Sequence, residues 1–411
     1  AASGVTVNVT SAGAGTSSGD GADVFTGFEN YILSGNADTI NLNVVHNGSI
    51  IDGGTGIDTA SYTNVTTALT VTVNSGNTSA IVNDGTNSNT LKNIEKIIGG
   101  DGNDTFIVSN VAGINTLDGD GGNNTLKLSG NLDLSSVTLL NFQNLEIANG
   151  DILTVNAVDL SGKTMNINML GTGSLIIVSD GSNHNFSNIS VTKGTGTVTL
   201  DVNINKDISA TNINNIIDKF DVASGSTLTL SYSQFNGHTG VGTGTLKLSD
   251  TSLTGTQIKS VNDASTNAID LTNVTTISTA TMAEILEVVN NTGAVFTTAA
   301  NYAVTISDTS SATNVNIVAG DTTGVVTATI ATGAVTATLN AIGNVSVNDV
   351  ITFTTNDTTV DASDLVALSA KVDNFTKTSI TGITEVYNTA NLTTVITNAK
   401  SMAQAALQIG K

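Results

Sequence analysis

The sequence predicts an all-β fold, a parallel β-solenoid with a few short docked helices, and three observations predict it. Residues of strand-forming type alternate with polar ones in short runs, and about one residue in six is threonine. The chain carries 41 glycines and no proline, so Gly, Asn and Asp punctuate the turns. A strand–turn–strand unit then recurs in the first 150 residues. Its copies are GFENYILSGNADTINL at 27–42, NIEKIIGGDGNDTFIV at 93–108 and NFQNLEIANGDILTV at 141–155. Such repetition marks a stacked architecture, in which one unit buries its apolar face only when the next packs on it.

Each copy opens on a small or amide residue, then an apolar residue and Glu or Gln: Phe28–Glu29, Ile94–Glu95 and Phe142–Gln143. The equivalent placing of Glu29 and Glu95 favours a corner hydrogen bond over acid–base chemistry. A soft boundary falls near residue 150, giving regions 1–150 and 151–411. The second region keeps the strands and loses most of the turn motifs, so it reads as further solenoid or as a β-sandwich with short helices. Strands are expected there at 153–155, 165–169, 175–178, 197–202, 227–230, 245–248, 302–306, 325–330, 335–339 and 350–353.

The best helix is TMAEILEVV at 281–289, where Thr281 and Glu284 match a capping box and Ile285, Val288 and Val289 share a face. DASDLVALSAKV at 361–372 begins on a capping residue, Asp361 or Ser363. TNINNIIDKF at 211–220 is a weaker helix, and 398–410 reads as a final helix or a frayed end. KLSDTS at 247–252 and TISDTS at 305–310 repeat across 58 residues.

Composition also excludes functions. With 34 acidic side chains, 13 lysines and no arginine, the net charge is −21, which argues against a nucleic-acid or anionic-membrane surface. No apolar stretch reaches the 18 residues of a membrane span, and AASGVTVNVT lacks the pattern of a secretory signal. The absent initiator Met is what a processed chain or an excised piece would show. Without cysteine there are no disulfides, and a bound metal becomes the candidate staple.

The chemistry with a sharp spacing is G-G-x-G-x-D before a strand. It stands intact as GGTGID at 53–58 and GGDGND at 99–104, and altered as SGDGAD at 18–23, LSGNAD at 33–38 and GDGGNN at 119–124. Glycine lets the turn bend its carbonyl oxygens inward. The sixth-position carboxylates of Asp23, Asp38, Asp58 and Asp104 then supply anionic oxygens of the kind Ca²⁺ accepts. Asp20, Asp52, Asp101, Asp118 and Asp120 are secondary candidates, and Asn124 replaces a charge in the last turn.

GGTGIDTAS and GGDGNDTFI resemble the hemolysin-type calcium-binding repeat of RTX proteins over about residues 18–128. That resemblance implies an irregular β-roll or β-helix holding Ca²⁺ at the Gly and Asp residues just named. The whole chain is also similar to bacterial surface-layer proteins and RTX adhesins exported by type I secretion. It implies an extracellular structural protein at the bacterial cell surface, self-assembling with copies of itself into a calcium-stabilised surface-layer lattice. Cell-surface polysaccharide would then be held through a region outside this chain. The alternative is an adhesin segment that binds a cell-surface or host ligand.

An enzyme is not expected. His46, His184 and His238 lie far apart in turn contexts, without metal-ligand spacing, and read as turn or surface histidines. A glycan-active enzyme would need two carboxylates to meet across its substrate. The glycine turns fit neither a dinucleotide fingerprint nor a phosphate loop.

Overall fold

The computed structural model describes residues 3–74, 80–180, 182–208, 216–378 and 380–384. The chain divides into two compact units, Ala1–Ala223 and Ser224–Lys411.

In the first unit, period-two alternation builds parallel ladders. Thr39–Leu42, Thr59–Ser61, Lys96–Ile98, Thr116–Asp118 and Thr138–Leu140 lie side by side in one sheet of eight strands. Register places Ile40 beside Ala60, then Ile97, Leu117 and Leu139, all buried. A ten-stranded sheet aligns Val71, Phe106, Leu126, Leu145 and Ile167 in the same way. Residues between these columns point outward, which is why Thr, Asn and Lys alternate with the aliphatic positions.

Antiparallel pairing interrupts both ladders. Thr6–Ser11, Ala14–Ser18 and Asp23–Phe25 form a meander at one edge of the eight-stranded sheet. Thr70–Val73, Ala80–Asn83 and Ser88–Lys92 form another within the ten-stranded sheet.

Helices form in both units. They are α1 (Ala157–Leu160), α2 (Tyr232–Phe235), α3 (Gly255–Asp263), α4 (Met282–Val289), α5 (Ala312–Asp321), α6 (Val335–Ala341) and α7 (Ala362–Ser369). In the second unit α2 to α7 pack each on the next, and α3, α4 and α5 also rest on strands. Apolar residues three apart face inward: Ile258 and Val261 on α3, Ile285 and Val288 on α4, Val315 and Val318 on α5.

Capping boxes close α2 at Ser231 and Gln234, α3 at Thr254 and Gln257, and α4 at Thr281 and Glu284. An acceptor from further along the chain reaches each even-numbered helix. Asp250 accepts the N–H of Tyr232 at 2.6 Å, Asp308 that of Met282 at 2.7 Å, and Asp357 that of Val335 at 2.7 Å. Asp250 and Asp308 are the aspartates of the two SDTS copies.

These elements correct the all-β solenoid. Helices hold 14% of the residues and strands 41%, divided among the described residues into six sheets of mixed pairing, so the fold is mixed α/β. The helices arise where Thr, Ser and Asn segments between strands carry caps and three-residue apolar spacing, a signal weaker than the surrounding strand pattern. Residues 335–339, expected as a strand, are the body of α6. Of the expected helix at 211–220, residues 211–215 fall outside the described residues and Lys219–Val222 is a strand. The 398–410 segment lies outside them too.

Candidate functional site

Asp23 itself opens its strand, whereas the other four sixth-position residues stand immediately before a strand that opens on Thr: Asp38, Asp58, Asp104 and Asn124 precede Thr39, Thr59, Thr105 and Thr125. Ladder register then stacks them in two columns. Asp38 Oδ1 accepts the N–H of Val5 at 2.7 Å, Asp58 Oδ1 that of Asp38 at 2.7 Å, and Glu95 Oε2 that of Asp58 at 2.7 Å. In the second column Asp104 Oδ1 takes Leu69 N–H at 2.7 Å, Asn124 Oδ1 takes Asp104 N–H at 2.8 Å, and Gln143 Oε1 takes Asn124 N–H at 2.7 Å. Glu95 and Gln143, at equivalent repeat positions, thus end the two columns as corner acceptors, while Glu29 is exposed.

The second carboxylate oxygen turns back into its own loop. Asp38 Oδ2 accepts Ser34 N–H at 2.6 Å, and Asp104 Oδ2 accepts Gly100 N–H at 2.7 Å. This explains the first glycine of the motif. A Cβ on Gly99 would lie 2.5 Å from Asp104 Oδ2, and one on Gly53 would lie 2.6 Å from Asp58 Oδ2. The carboxylate occupies the space where a side chain would be.

Asn124 uses both ends of its amide. Its Nδ2 donates to the carbonyls of Gly121 at 2.9 Å and Asn141 at 3.0 Å, so a neutral residue fits a site lined by oxygens.

Two carboxylates break the pattern. In the 53–58 turn Gly54 N–H goes to Asp52 Oδ1 at 3.1 Å, and the buried Asp58 Oδ2 has no hydrogen-bond partner. Asp58 is fully buried, and that burial, together with the Asp38, Glu95 and Asp52 carboxylates, pushes its pKa up to about 6 against the pull of the Asp38 amide. Asp120, held at φ 57°, has a buried Oδ2 that is likewise unpaired. Burial raises the Asp104 pKa; the Gly100 and Leu69 amides oppose the rise and the Asp120 charge adds to it.

The remaining candidates are placed as follows. Asp52 and Asp118 occupy equivalent positions, each accepting at 2.7 Å from the side-chain amide of an asparagine in the left-handed region, Asn93 and Asn141. Asp101 is exposed, as are Asp20 and Asp23, and Asp23 accepts from Ser17 Oγ at 3.4 Å in the edge meander, away from both columns. Among the described residues no group of three or more His, Cys, Asp or Glu side chains is arranged to hold a metal ion. Any cation here must therefore complete its shell with backbone carbonyls and water, as Ca²⁺ readily does.

The same capping aspartate recurs where the glycine motif is absent. Asp218, Asp349 and Asp373 each precede a strand and accept the N–H of Val198 at 2.8 Å, Val326 at 2.8 Å and Ile351 at 3.0 Å. The sequence signal is an aspartate just before a strand, 20 to 23 residues after the start of the previous one. His184, expected on a turn or surface, is buried and bonded to Asp180 at 2.6 Å.

No protein-family model, curated protein or solved structure matches the chain. The resemblance to calcium-binding RTX repeats and surface-layer proteins is corrected by the mixed α/β, multi-sheet fold. The surface-layer lattice and the adhesin segment fall with it.

Proposed function

We propose that the chain is a non-catalytic structural domain whose acidic turns bind Ca²⁺ at Asp58 and Asp120, acting outside the cell where calcium is plentiful. The observation that carries this reading is the buried Asp58 Oδ2, unpaired and facing the charges of Asp38, Asp52 and Glu95. A buried carboxylate without a partner is costly, and a divalent cation offsets that cost while linking folding to its concentration. Asp120 Oδ2 stands in the same condition. Asp38 and Asp104 have both carboxylate oxygens engaged by backbone amides, and they act as structural acceptors. Asp20, Asp23 and Asp101 lie at the surface.

Calorimetric titration of Ca²⁺ into the full chain, paired with thermal melts in chelator and in millimolar Ca²⁺, tests the proposal. Calcium should raise the melting temperature of the native chain, and the gain should shrink in Asp58→Asn and in Asp120→Asn. Identical melts with and without calcium would overturn it.

A further inference from the structure

Both large sheets of the first unit end on one short segment. Strand Asp23–Phe25 is the last of the eight-stranded sheet and Tyr31–Ile32 the last of the ten-stranded sheet, so among the described residues each leaves one edge unpaired. Phe25 ties the two together: its ring meets Phe28 edge-on with centroids 5.3 Å apart, and Tyr31 in the same manner at 5.9 Å. Val24 and Ile32 are 82% and 80% exposed, more than any other large apolar side chain described, and Phe28 is 51% exposed. Apolar residues exposed singly are ordinary. Three of them between 24 and 32, on a segment that closes two sheets with open edges, make a surface suited to docking.

Charge selects the occupant. Asp20, Asp23 and Glu29 are exposed on the same stretch, and residues 1–91 hold no lysine or arginine. The first lysine, Lys92, stands in register with Asp52, on the strand two places inward from Ile32. The acidic rim of the edge therefore meets no lysine or arginine of its own segment. A second copy of the chain, with net charge −21 and the same rim, is repelled from a symmetric contact here. A partner that carries lysine or arginine is steered in. The two edge strands are three and two residues long, so they offer few backbone bonds and the side chains must carry recognition.

We infer that this edge docks an extended segment of another protein in which apolar residues alternate with lysine or arginine. Side chains alternate between the two faces of a strand, and a strand added to a sheet edge keeps that alternation. Asp23 and Val24 are successive residues of the edge strand, so the apolar row of the incoming segment lies beside Val24 and its cationic row beside Asp23. Phe28, Glu29 and Ile32 extend the same combination of apolar surface and negative charge.

The probe is a short dye-labelled peptide of alternating lysine and valine, titrated with the full chain in millimolar Ca²⁺ and followed by fluorescence anisotropy. Two control peptides, lysine alternating with serine and glutamate alternating with valine, separate charge from apolar content. The lysine–valine peptide should bind about tenfold tighter than either. Val24→Thr with Ile32→Thr keeps the charge and the strand preference at two exposed positions and should remove most of that advantage. Asp23→Asn with Glu29→Gln should weaken binding at low salt and matter less as salt is raised. Equal binding of the lysine–serine peptide would reduce the effect to attraction by an acidic chain and overturn the assignment. Unchanged affinity in the Val24 and Ile32 variant would overturn it too. So would sedimentation showing native dimers that this variant abolishes, because a second copy would then be the occupant.

Discussion

Asp58 accepts the backbone N–H of Asp38 through Oδ1 at 2.7 Å, across 20 residues of chain, while its Oδ2 meets no donor. One carboxylate therefore does two opposed things: it fixes the neighbouring turn and it buries an unneutralised oxygen beside three more acids.

That opposition predicts an inverted pH response. The folded-state pKa of about 6 lies above the ordinary 3.8, so between these values the native state binds a proton that the unfolded chain does not. This group's contribution to stability should rise as pH falls from 7 toward 4 and decline as pH climbs through 6. Urea midpoints at pH 7 and pH 5 in chelator measure it. Asp58→Asn should flatten the difference, and an equal slope in native and variant chains would refute the assignment.

Asp104 should behave in the opposite sense to mutation. Its two oxygens hold Leu69 and Gly100 amides, and Asp104→Ala leaves both buried donors unpaired. The expected cost is about 2–4 kcal/mol by equilibrium unfolding. Asp104→Asn, which keeps one acceptor, should lose less.

Asn124→Asp restores the charge that the 119–124 glycine turn lacks. It also removes the Nδ2 donor facing Gly121 and Asn141 carbonyls, so in chelator the variant should lose about 1–3 kcal/mol. Those carbonyls are oxygen ligands, and millimolar Ca²⁺ should return part of the loss. A variant equally destabilised in both conditions would count against cation binding at this turn.

Thr281→Ala should cost about 1 kcal/mol, because Thr281 Oγ1 accepts the Glu284 N–H at the start of α4. Asp308→Ala exposes the adjacent Met282 N–H and should cost a similar amount. Urea unfolding of the single and double variants separates the two caps.

Much of this fold was legible locally. Period-two runs located strands such as Met165–Met169 and Thr245–Leu248, and the Thr281–Glu284 pair located α4. Helix α6 was not legible: its segment VTATLNA alternates like a strand, and its start is fixed by Asp357, 22 residues later. The sixth-position residues were visible as a set, but their partners were not. Val5 and Leu69 lie 33 and 35 residues from the carboxylates they bond, a distance at which no local pattern speaks. The unpaired oxygens of Asp58 and Asp120 are products of that tertiary arrangement. His184, read from its sequence as a turn or surface histidine, is buried, and nothing in its immediate sequence foretells that packing.

The late-arriving caps of α2, α4 and α6 also impose an order on synthesis. Tyr232, Met282 and Val335 wait 18, 26 and 22 residues for Asp250, Asp308 and Asp357. During translation the first amide of each of these helices emerges without this acceptor, which arrives only once the following stretch clears the ribosome. A nascent chain halted just before residue 308 would hold α4 in that unfinished condition.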